Sequence, residues 1–118
     1  MLARAGYRGR HFFHTAAVAT GVGTALQIAD PDDGSGSVLA IQINGITTAT
    51  VTFQGTIDGT NWVAIGFTSM ADNSTVATTA TADGLYKCSV AGLLQVRANL
   101  TSWTTGTITV TGNVASIT

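Results

Sequence analysis

The stretch VLAIQINGITTATVTFQG, from Val38 to Gly55, decides the fold class. Its first part gathers Leu39, Ile41 and Ile43 on one side. Its last part sends Ala49, Val51 and Phe53 inward and Thr48, Thr50, Thr52 and Gln54 outward. A period of two is the mark of a half-buried strand, because successive side chains of a pleated chain point to opposite faces. Between the two runs, NGITT reads as a turn.

The same pattern extends in both directions. Upstream, TALQIA places Leu26 and Ile28 on one face, and DPDDGSGS, residues 30–37, is a long turn cluster holding the single proline. Downstream, Asp58-Gly59 marks a hairpin tip in IDGTNW, where glycine supplies the positive φ the turn wants. Trp62 then opens a return strand on which Val63, Ile65 and Phe67 alternate. Residues 70–83 form a Thr/Ala-rich connection with a short strand around Val76. GLYKCSV is a strand, with Tyr86, Cys88 and Val90 facing one way, and AG turns into LLQVRANL, with Leu94, Val96, Ala98 and Leu100 together. TSWTTG turns into TITVTG, where Ile108 and Val110 face inward. The reading is therefore all-β: an antiparallel β-sandwich or jelly roll of seven to eight strands.

Composition fits one domain of an unusual kind. The 118 residues are 45% hydrophobic and only 9% charged, against roughly 25% charged in an average globular chain. Glutamate is absent, all six acids are Asp, and 21 threonines supply the polarity. A surface polar through hydroxyls suits a protein packed against neighbours. The charge is unevenly spread. Arg4, Arg8 and Arg10 precede any acid and are joined by His11 and His14, whereas the rest of the chain sets Lys87 and Arg97 against the Asp residues. Residues 1–23 accordingly read as an extended basic N-terminal arm and hinge, and 24–118 as the sandwich domain. The competing reading of the arm is a frayed terminus.

Several function classes are disfavoured. A net charge of -1 argues against a nucleic-acid partner, which needs a basic stripe to displace counterions. No apolar run reaches the 18 or so residues of a membrane helix, and no targeting signal is convincing. Cys88 is a lone cysteine, which excludes an internal disulfide and a cysteine metal cluster. Both histidines lie in the arm without an acid beside them, and there is no glutamate for paired-carboxylate chemistry. No catalytic residue, cofactor or metal site is expected; DPDDGSG departs from a calcium loop at Gly34 and Ile41. Two aromatic residues remain open. Trp62 reads as a structural anchor, a partner-facing ring or a sugar platform, and Trp103, in a turn, as the more exposed interface aromatic.

The runs VTFQGTIDGTNWVAI (51–65) and TADGLYKCSVAGLLQVRANLTSWTTGTITVTGNVAS (81–116) together resemble a β-sandwich module recurrent in virion proteins of tailed bacteriophages. The shared features are the strand ending in DGTNW, the GLY strand, the AGL turn into QVRA, and the closing GTITVTG strand. The resemblance covers roughly residues 48–116. It implies a non-enzymatic virion protein, foremost a capsid decoration or cement protein that stabilises the head by binding across major capsid subunits. Under that reading Arg4, Arg8, Arg10, His11, Phe12 and Phe13 contact the partner, the protein self-associates, foremost as a trimer, and it sits on the capsid surface after assembly in the host cytoplasm. Removing residues 1–14 should then abolish attachment and leave the sandwich folded. The alternative is a glycan- or receptor-binding module of a phage tail or fibre, or a tail or neck component, with Trp62 or Trp103 as the contact.

Overall fold

The computed structural model describes residues 6–30, 34–35 and 38–116, with side chains described over 10–28 and 38–114. In chain order the strands are β1 (Gly6–Ala17), β2 (Leu26–Gln27), β3 (Ala29–Asp30), β4 (Gly34–Ser35), β5 (Val38–Thr56), β6 (Val63–Ala64), β7 (Phe67–Ser69), β8 (Val76–Ala77), β9 (Thr79–Ala80), β10 (Gly84–Ser89) and β11 (Gln95–Ser116). No helix occurs among the described residues. Among the described residues, nine strands form one antiparallel sheet, and β3 and β4 form a separate small hairpin at the 30–37 turn cluster.

Two strands span the whole molecule. β5 and β11 pair from Gln95↔Thr56 at one end to Ala115↔Val38 at the other, and the register shifts four times between Leu100 and Thr109. At that point the pair bends and carries the sheet from one layer to the other. The first layer runs β8, β7, β10, the N-terminal half of β5, the C-terminal half of β11, then β1. The second joins the other halves of β5 and β11, with β6 and β9 on the β5 side and β2 on the β11 side.

The alternation seen in the sequence is the packing. Leu39, Ile41, Ile43, Val51, Phe53, Val96, Ala98, Leu100, Ile108 and Val110 are all buried between the layers. Phe53 of the second layer meets Phe67 of the first edge-on at 4.8 Å between ring centroids, and Phe67 meets Tyr86 at 5.1 Å. Edge-to-face rings at these distances add roughly 0.5–1.5 kcal/mol each beyond their buried area.

The expected turns at NGITT and TSWTTG are corners rather than reversals. They lie opposite one another, with Trp103 paired to Ala49 and Gly106 to Ile46, so both strands bend together and each keeps its partner. Glycine makes the bend: Gly45 has φ +92° and Gly106 φ +119°. A side chain at Gly45 would overlap the Thr107 carbonyl oxygen, and a Cβ at Gly106 would stand 2.5 Å from the Gly45 carbonyl oxygen. Asp83 clamps the corner, accepting from the amides of Gly45 (3.1 Å) and Ile46 (2.8 Å).

Of the expected arm, residues 1–23, the described part from residue 6 onward differs most from expectation. From Gly6 to Ala17 the segment is not a free arm but an edge strand paired with β11, from Gly6↔Ser116 to Ala17↔Ile108. The chain then bridges Gly21 to Leu100 in the second layer and continues into β2, which also pairs with β11. Phe13 is 1% exposed, inside the core, and His14 Nε2 bonds the Ala98 carbonyl oxygen at 2.6 Å, tying β1 to the opposite layer. The segment is held because it completes the sandwich, so the boundary at residue 23 does not divide the fold.

Candidate binding surfaces

The turn before Trp62 is built around one carboxylate. Asp58 accepts from the amides of Thr60 and Asn61 (2.8 Å each), from Asn61 Nδ2 (2.7 Å) and from the Thr56 hydroxyl (3.0 Å). These donors, the Asn61 amide foremost, hold its pKa well below the usual carboxylate range. Asp72 does the same after β7, where the Thr75 hydroxyl and the amides of Ser74 and Thr75 lower it to about 2. A depressed folded-state pKa contributes stability that is fully present above the unfolded value, near 4, and is lost as pH falls through the folded value. Both loops should therefore keep slow amide exchange at pH 4. The Asp72 loop should loosen first, between about pH 4 and pH 2, with the Asp58 loop following at lower pH.

Trp62 lies outside the core. It precedes β6 at the edge of the second layer, and the Arg97 guanidinium sits 4.2 Å from its ring centroid. Arg97 in turn donates from Nε to Gln54 Oε1 at 2.8 Å. Gln54 and Arg97 are register partners on β5 and β11, and both are half-buried. One face of the indole is thus covered by a cation, a contact worth roughly 0.5–2 kcal/mol. Trp62→Ala should cost about 1–2 kcal/mol in chemical denaturation, where a buried aromatic anchor would cost about 3–5.

Trp103 is less exposed than its turn-like sequence implies. It packs against the core at the corner, and its Nε1 donates to the Gly106 carbonyl at 2.9 Å. It is a peg in the bend, which its place in β11 explains. Val63, which alternates with Ile65 and Phe67 in the sequence, is 66% exposed, in the two-residue edge strand β6. With Ile57, Ile65 and Leu93 it lines an open cleft of about 250 Å³ floored by Gly55, below the roughly 300–1,000 Å³ usual for small-molecule sites.

The N-terminal residues assigned to a partner separate by position. Arg4 lies outside the described residues, and Arg8 is placed in β1 by its backbone alone. Arg10 and Phe12 face outward, with the Arg10 guanidinium 5.8 Å from the Phe12 ring centroid. His11 is half-buried; its Nε2 bonds the Thr24 carbonyl oxygen at 2.9 Å, and its ring meets Phe13 edge-on at 4.7 Å. Phe13, being core, is unavailable to any partner. Sequence reasoning passed over Arg97 beside Trp62, and Lys87, whose outward direction the LYKCSV alternation already carried.

Among the described residues, no group of three or more His, Cys, Asp or Glu side chains is placed to hold a metal ion. Burial pushes the Cys88 thiol up to about 11, so its thiolate is scarce at neutral pH.

The crystal structure of the SPBc2 prophage-derived protein YomS superposes with a TM-score of 0.83, at 23% identity and over 98% of both chains. That of the PBSX exported protein XepA gives 0.81 at 21% identity, over 92% of this chain but 37% of the other. This chain therefore spans little more than a third of that protein's length. No curated protein sequence matches. The XepA family model matches residues 10–114, nearly all of the sheet described above, and the chain belongs to the XepA family.

Proposed function

We propose that this protein is a non-enzymatic structural component of a phage particle, a decoration or cement protein that binds across major capsid subunits. The observation that carries the reading is the surface. The two outer sheet faces are rich in threonine and poor in charge, and large apolar side chains such as Phe12, Val38, Val63 and Leu85 stand exposed on them. Such a surface gains from being covered. The prophage origin of YomS and its full-length likeness to this chain support the phage setting. Self-association would multiply contacts that are weak singly. The protein would then reside on the virion, reaching it from the host cytoplasm during assembly.

A second reading follows from the name of the longer relative, an exported protein: a module that acts outside the cell without joining the particle. A glycan-binding tail or fibre module is the reading Trp62 would serve, although Arg97 occupies one of its two stacking faces. Quantitative mass spectrometry of gradient-purified virions separates these. A fixed high ratio to the major capsid protein is expected for a cement. A few copies per particle would move the protein to tail, neck or fibres. Its absence from particles would end the virion reading.

A further inference from the structure

The outer face of the first layer carries two in-register rows. One runs Phe12, Thr111, Gln42, Leu85 across β1, β11, β5 and β10; the next runs Arg10, Asn113, Ala40, Lys87. Arg10, Gln42, Ala40 and Lys87 are exposed, and Val38 continues the face beyond the second row. Phe12, Leu85 and Val38 are 46%, 51% and 43% exposed. Because Ala40 is small, a depression of about 100 Å³ opens over it, rimmed by Arg10, Gln42, Leu85, Thr111 and Asn113.

Among the residues whose side chains are described, the charge on this face has one sign. Arg10 and Lys87 stand three strands apart, about 14 Å at the usual strand spacing. Among the described residues, Asp30 lies in the β3–β4 hairpin ahead of β5, and Asp58 and Asp72 lie in turns elsewhere. Asp83, just ahead of β10, spends both oxygens on the Gly45 and Ile46 amides at the corner. We propose that the outer face of β1, β11, β5 and β10 is a docking surface for an acidic protein patch, with Arg10 and Lys87 meeting separate carboxylates and Phe12 and Leu85 giving the apolar flanks.

Number and spacing of charges favour protein over the other anionic surfaces. A lipid-binding segment typically gathers roughly four to eight Lys/Arg, and duplex binding engages roughly six to ten phosphates. Two separated cations among amides, hydroxyls and an aromatic ring match a protein interface.

The test uses the full chain and polyglutamate as the probe, read by backbone-amide NMR shifts. Shifts confined to the two rows are expected, with affinity falling at least about tenfold in Arg10→Glu/Lys87→Glu and steeply with salt. Arg97→Gln, on the other layer, should bind as the parent does. Shifts on the second layer, an equal loss in Arg97→Gln, or no response to polyglutamate would overturn the proposal. So would preferential binding to phosphatidylserine vesicles or an oligonucleotide. The proposal deepens the docking reading without depending on the capsid: absence from virions would retire that reading and leave the polyglutamate result standing.

Discussion

A chain lacking residues 1–14 should fail to fold cooperatively. The truncation removes most of β1, the Phe13 ring from the core, and the His14 link to Ala98 in the opposite layer. Loss of a buried Phe side chain alone costs about 3–5 kcal/mol, against a total stability of roughly 5–15 for a domain. It also leaves the C-terminal half of β11 as a bare sheet edge, a template for aggregation. Near-UV circular dichroism and a denaturant titration read the outcome. A truncated chain with native near-UV signal and an unchanged midpoint would show β1 to be dispensable. Attachment to any partner is therefore better probed by exposed-residue changes such as Arg10→Glu than by truncation.

The second large effect is expected at the corner. Gly45→Ala should cost at least about 4 kcal/mol, because two penalties combine. A non-glycine residue at positive φ costs roughly 1–2 kcal/mol, and the new Cβ would overlap the Thr107 carbonyl oxygen within a paired, rigid bend. Gly92 provides the control. Its φ is +86°, yet nothing lies within 4 Å of the position a Cβ would take. Gly92→Ala should cost only the conformational part, about 1–2 kcal/mol. Denaturant midpoints for the two variants isolate the overlap. Equal losses would mean that the corner can relax around a side chain.

The two variants also mark what the sequence does and does not express. Period-two alternation located the core of β5, β10 and β11 residue by residue, because burial on one face leaves a direct imprint. The corners left only turn-like letters. NGITT and TSWTTG look like reversals, and only their juxtaposition across the β5–β11 ladder shows that both strands continue. β1 was hidden for a different reason. Its register shifts between Phe12 and His14 and again between His14 and Ala17, so neighbouring Phe13 and His14 are both buried and no alternation survives. For the candidate surface, the basic start of the chain pointed to Arg10 and Phe12. It did not point to Lys87 and Leu85, which reach the same face from about 75 residues away through strand pairing.

The pairing of β1 with β11 sets an order of events during synthesis. β1 leaves the ribosome with no partner, since residues 108–116 follow it by roughly a hundred positions. Until then Phe12 and Phe13 travel on an unpaired segment, exposed to wrong partners. Nucleation is therefore expected elsewhere, in the more local pairings of β5 with β6 and β7 with β8, with β1 docking as a late, closing step. A pause or stop codon before residue 108 should yield a chain that stays soluble only with chaperone help. The molecule closes with the same strand that lends Arg10 and Phe12 to its outer face.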